Sequence, residues 1–227
     1  RGHLAILEFF GRHHPRIGGL VFVIDDPWCR HDPANLPANS FPFWLYGDDS
    51  FAHVEQFFTW SALDRVFRRI TIGLGWRQRT YLDGFWSYEE VWLPGQKHPA
   101  ATPQPQAPPF AGSVSDIFPF KEMLDRALRK LPADVPVVLI APPVFHTIIP
   151  KPGTQAAAER QACNAAYRSI VAGRPHSNFI DYRVDNELTR DPQNFADLIH
   201  YRAKIARKLG EGIATSFRLG GAANIDF

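Results

Sequence analysis

Asn194-Phe-Ala-Asp197-Leu-Ile-His200-Tyr201 joins two segments of opposite character. Upstream, Asn178-Phe-Ile-Asp-Tyr182 is short, mostly apolar and followed by turn formers, the pattern of a buried strand. Downstream, Ile205, Leu209, Ile213 and Phe217 recur every four residues among Lys and Arg, which predicts an amphipathic helix with a cationic outer face. A polar segment that leads from a late strand into a terminal helix belongs at the carboxyl edge of an open α/β sheet, where ligands and catalytic groups collect. Asp197 and His200 are three residues apart, so one helical turn would send both side chains from the same face. A carboxylate that accepts the proton of one imidazole nitrogen fixes the tautomer and leaves the other nitrogen able to take a proton from a serine. The spacing alone more often marks a capping Asp and a solvated His than a catalyst; the strand before it and the helix after it raise the catalytic reading.

Outward from this segment the same alternation recurs. Leu4, Leu7 and Phe10 predict a helix that stops at Gly11 and His13-His14-Pro15, because proline disfavours helical geometry before it. Gly18-Gly-Leu-Val-Phe-Val-Ile24 is a continuous apolar run, as in a sheet covered on both faces. Leu63, Val66, Phe67 and Ile70 predict a helix over 62–72 with Arg65, Arg68 and Arg69 outside. Ser115 or Asp116 caps a helix through Phe120, Leu124 and Leu128; Pro136-Val-Val-Leu-Ile-Ala141 is a second buried strand, and 156–172 an alanine-rich helix. Helix feeding apolar strand, repeatedly, is the order of a doubly wound parallel sheet. Only residues 76–115 lose all period; with Trp86, Trp92 and the prolines from Pro94 to Pro109, they read as a flap or insertion within one domain spanning 1–227.

Composition narrows the function. A chain of 227 residues with 45% hydrophobic content supports one sizeable core. A formal charge of +2 with dispersed basic residues offers no track for phosphates, so nucleic acid is not an expected partner. No apolar run reaches the roughly 20 residues of a membrane span. Cys29 and Cys163 form no C-x-x-C; they fit a bridge in an exported protein or two buried thiols. No phosphate-binding glycine loop occurs and no cofactor is expected. His31 and Asp32, beside His13 and His14, lack the spacing of a metal site and read as solvated loop residues.

Three further positions are candidates for substrate contact. Asp25-Asp-Pro-Trp-Cys29 closes the first strand; Asp25 reads as a turn residue, whereas Asp26 and Trp28 fit a pocket wall as well as they fit a cap and a packed ring. His146 follows the second strand and is a candidate by position. Gly47-Asp-Asp-Ser50 looks like a nucleophile motif but follows a proline-bearing loop instead of a strand, so Ser50 or its neighbours read as a helix cap.

With D-x-x-H set just before the C-terminal helix, the chain resembles the SGNH/GDSL hydrolase superfamily. That resemblance implies a three-layer α/β/α sandwich with a mainly parallel sheet, with Asp197 and His200 as the last two members of a Ser-Asp-His triad. It also implies hydrolysis or transfer of an acyl ester, such as an acetyl ester of a carbohydrate, outside the cytoplasm. A small-molecule or glycan ester is then the expected partner, with membrane contact only through a segment outside this chain. In the family the serine follows the first strand; here a helix comes first with no strand before it, so the serine block is expected upstream of Arg1. The family's G-x-N-D block is absent. Its loss supports a second reading, a binding or assembly protein that keeps the fold without the chemistry.

Overall fold

The computed structural model describes residues 2–14, 16–29, 41–47, 54, 58–76 and 111–219. The readings of His31 and Asp32 as solvated, of Asp48, Asp49 and Ser50 as a cap, and of Trp86 and Trp92 in a flap lie outside the described residues.

Three strands, β1 (Leu20–Val23), β2 (Val137–Ala141) and β3 (Asn178–Asp181), form a parallel sheet in the order β1-β2-β3. Phe22 pairs with Leu139, and Leu139 with Phe179. Every residue of β2 is buried, the expected state of an apolar run at the centre of a parallel sheet. The expectation of cover on both faces fails for β1, where Val21 and Val23 are each 42% exposed. Register explains it: Val21 and Val23 pair with Val138 and Ile140, and so lie on the face that the terminal helix covers only over β2 and β3.

Helices pack against both faces of the sheet. On one lie α1 (Gly2–His13), α3 (Pro119–Leu128) and α4 (Gln155–Val171), which bury Leu4, Leu124 and Tyr167 against Phe22, Leu139 and Phe179. On the other, the terminal helix α6 (Ala203–Leu219) buries Ile205 and Leu209 against Val138, Ile140 and Ile180. A one-turn helix, α5 (Glu187–Arg190), closed by a capping box between Asn186 and Thr189, interrupts the loop between β3 and α6. The architecture is therefore mixed α/β around a small parallel sheet. Among the described residues no helix is long and apolar enough to cross a membrane.

Local chemistry accounts for the helix boundaries. Helix α1 ends at His13, short of the proline as expected, but runs through Gly11, where a Cβ would come within 2.9 Å of the Leu131 side chain. The glycine serves close helix approach, not termination. Thr154 caps α4 by accepting from the Ala157 amide, a contribution of about 1 kcal/mol. At α3 the expected Ser115 or Asp116 cap is displaced by Phe118 with Pro119 in the first turn, while Ser115 Oγ accepts from Ile117 N in the turn before it. Helix α2 (Trp60–Gly73) forms as predicted, capped by Thr59, yet Leu63, Val66, Phe67 and Ile70 are exposed.

A candidate catalytic pair and cleft at the carboxyl edge of the sheet

Beyond β3 the chain reaches Asn194, whose side-chain amide donates to the Leu188 carbonyl. Phe195 and Tyr201 then pair as an isolated antiparallel bridge, and Ala196 N donates to His200 O at 2.8 Å. Residues 196–200 are thus a loop pinched at its base, not the helical turn that the three-residue spacing suggested. The loop is anchored from below: Phe195 is fully buried, its ring 5.8 Å from that of Phe145, and Phe145 N donates to Leu198 O at 2.9 Å.

The pinched loop brings Asp197 and His200 together by another route. Asp197 Oδ1 accepts from both Ile199 N and His200 N at 2.8 Å, which orients the carboxylate. Its Oδ2 lies 2.6 Å from His200 Nδ1. An ionised carboxylate can only accept, so the Nδ1 proton is directed at Asp197 and Nε2 is the nitrogen left with a lone pair. Burial alone would raise the Asp197 carboxyl, but the bonds from the His200 ring and the two amides outweigh it and hold the carboxyl below its usual range. The side chains of His200 and Asp197 are 49% and 46% exposed, so the pair lies at the surface.

Next to the strand ends lies a cleft of about 340 Å³ whose lining includes Ile24, Val144, Ile148, Asp26, Arg160 and Arg183. Its polar wall is built on the last residue of β3. Asp181 Oδ1 accepts from Arg160 Nη2 at 2.6 Å and from the Arg183 amide at 2.9 Å, and Oδ2 accepts from Asn164 Nδ2 at 2.6 Å. The Arg183 side chain, only 10% exposed, donates through Nε to the Pro142 carbonyl and pairs with Asp26. Burial lowers the Arg160 guanidinium, and Asp181 draws it back up. A disulfide between Cys29 and Cys163 joins the two walls, with Cα atoms 5.5 Å apart; this selects one of the two cysteine readings.

The candidate residues divide between these places. Asp197 and His200 pair in the pinched loop, and neither lines the cleft. Asp26 lines the cleft with its side chain 71% exposed. Trp28 takes the packed alternative: it is 5% exposed, edge-on to Phe22 and Phe120, with its carbonyl accepting from the Tyr167 hydroxyl, so the ring lies in the core and not on a pocket wall. His146 begins a short 3-10 turn with its ring 4.7 Å from Phe145; its neighbours Val144 and Ile148 line the cleft, but His146 does not. Asp25 carries a raised pKa from burial, opposed by Arg183 and His3, and its Oδ1 has no partner among the described residues. Sequence reasoning missed Arg160, Asn164, Asp181 and Arg183. The available signal was the pair Arg160 and Asn164, four apart on one face of α4.

Among the described residues no group of three or more His, Cys, Asp or Glu side chains is placed to hold a metal ion. No protein-family model, curated protein or solved structure matches the chain.

Proposed function

We propose that the protein hydrolyses or transfers an acyl ester, with His200 as general base and Asp197 as the group that orients it, on a sheet of the SGNH three-layer type. The observation that carries this reading is the 2.6 Å contact between Asp197 Oδ2 and His200 Nδ1, held by two backbone amides on the opposite carboxylate oxygen. The reading requires a serine hydroxyl within hydrogen-bond reach of His200 Nε2, which would attack the ester carbonyl while the imidazole takes its proton. The imidazolium, stabilised by Asp197, returns that proton to the leaving alcohol as the tetrahedral intermediate collapses. Water or a second alcohol then releases the acyl group by the same steps in reverse. General base catalysis of this kind contributes about 10²–10⁴-fold. The disulfide supports a location outside the cytoplasm, since thiols in reducing compartments stay unpaired.

The direct test is hydrolysis of p-nitrophenyl acetate by the full chain and by its His200→Ala variant. Loss of turnover in the variant supports the reading; equal rates remove it and leave the binding or assembly protein in its place.

A further inference from the structure

Helices α2, α3 and α6 are alike in amphipathic character, but they differ in where the apolar face goes. Helices α3 and α6 bury theirs against the sheet. In α2 the residues Trp60, Leu63, Val66, Phe67 and Ile70, with Leu74 at the C-terminal cap, fall within one arc of about 120° at the turn angle of an α-helix. Each of them is at least half exposed, and none joins the packed core on either face of the sheet. A contiguous apolar surface of this kind is an interaction site. The charge on the helix says what covers it. Arg65, Arg68 and Arg69 against the single Asp64 give α2 a formal charge of +2. That equals the net charge of the whole chain, so the remaining residues sum to zero. Arg68 and Arg69 are exposed and fall on the other side of the helix from the apolar arc. An anionic lipid surface uses both sides at once: apolar side chains enter the acyl boundary while the long arginines reach phosphates. Tryptophan, whose ring settles at headgroup level, stands at both ends, Trp60 opening the helix and Trp76 following it, each strongly exposed. At 14 residues, about 21 Å, the helix is too short to cross a hydrocarbon core of about 30 Å, so it would lie along the surface.

We propose that α2 docks the protein on an anionic lipid bilayer, with its apolar arc in the acyl boundary and Arg68 and Arg69 among the phosphates. This departs from the expectation that the chain meets a membrane only through a segment outside it, and it does not rest on the acyl-transfer reading above.

The test is flotation of the full chain with vesicles of equal parts phosphatidylglycerol and phosphatidylcholine, beside vesicles of phosphatidylcholine alone. The chain is expected to partition about tenfold more strongly into the anionic vesicles and to be released from them by high salt. Phe67→Ser should weaken partition into the anionic vesicles about tenfold, through lost apolar insertion. Arg69→Gln should weaken it about fivefold and leave partition into the neutral vesicles unchanged. Both side chains are exposed, so neither variant should lower Tm. The proposal is overturned if the chain does not float, if it partitions equally into both vesicle types, or if the two variants behave like the unmodified protein. Sedimentation without lipid and thermal unfolding decide the other occupants. A dimer that Phe67→Ser dissolves would assign the face to a second copy, and a lowered Tm for that variant would assign it to packing within the chain; either result overturns the proposal.

Discussion

Phe145 N donates to the carbonyl of Leu198 at 2.9 Å, so the loop that carries Asp197 and His200 hangs from the chain leaving β2. The bond ties two sheet-edge loops into one unit, and the buried ring of Phe195 against Phe145 fills the space beneath it. Phe195→Ala would leave a cavity under the loop and is expected to cost about 3–5 kcal/mol in urea unfolding, with Phe195→Leu costing less. A measured loss below about 1 kcal/mol would mean that the ring is not the anchor described.

Asp197→Asn tests orientation apart from base strength. The asparagine oxygen can still accept from the amides of Ile199 and His200, but its NH2 group cannot accept from Nδ1, so the ring is driven toward the wrong tautomer. On the acyl-transfer reading, kcat for p-nitrophenyl acetate falls by about 10²–10⁴-fold with little change in KM. Because the Asp197 carboxyl is held below its usual range, its contribution to the folded loop is complete above the free carboxyl value of about 3.9 and fades as pH falls through the lowered one. The amide signal of Ile199, which donates to that carboxylate, should therefore show an acid-induced change through this range that is absent in Asp197→Asn.

The disulfide closes a loop between residues 134 apart in sequence. In the chain-entropy model a loop of that length is worth about 5 kcal/mol, and measured values are commonly about 2–4 kcal/mol. Reduction with a thiol should lower the denaturant midpoint accordingly. Unchanged stability after complete reduction, confirmed by thiol titration, would contradict this account.

Three tyrosines should resist ionisation. Burial raises the hydroxyls of Tyr167 and Tyr201 and pushes that of Tyr182 up to about 12. A raised folded-state value stabilises the native protein fully below the unfolded value, about 10, and that stabilisation is lost as pH rises through the folded one. Absorbance at the phenolate band is expected to show these tyrosines titrating late, together with unfolding between about pH 10 and 12. If all six tyrosines of the chain titrate together near the free value while the fold persists, the burial described for these three is wrong.

A run of aliphatic residues made β2 visible, a short apolar core before turn formers made β3 visible, and the four-residue period made α6 visible, because all three patterns are local. The partnership of Asp197 with His200 was legible for the same reason, although the backbone that joins them was not. A spacing of three fits a helical turn and a pinched loop alike, and the Phe195–Tyr201 bridge decides between them by tertiary contact. Trp28 was ambiguous because nothing adjacent in sequence says that Phe120 and Tyr167 will enclose it. The cleft was invisible for a related reason: Asp181 gathers Arg160 and Asn164 from another element, and Arg183 reaches back to Asp26 across most of the chain.

The sheet joins strands of very different separation, and this sets an order of assembly. β2, α4 and β3 lie within residues 137–181 and can meet after closing a short loop, whereas β1 pairs with β2 only when residue 20 finds residue 137. Closing the longer loop is entropically harder, and non-local parallel pairing is slow. Pulse-labelled hydrogen exchange during refolding should protect the amide of Tyr182, which donates to Ala141 O, before that of Ile24, whose bond to Ile140 O forms only when β1 arrives. The cleft, with Ile24 and Asp26 on one side and Arg160 and Arg183 on the other, is consequently among the last features of the molecule to come into being.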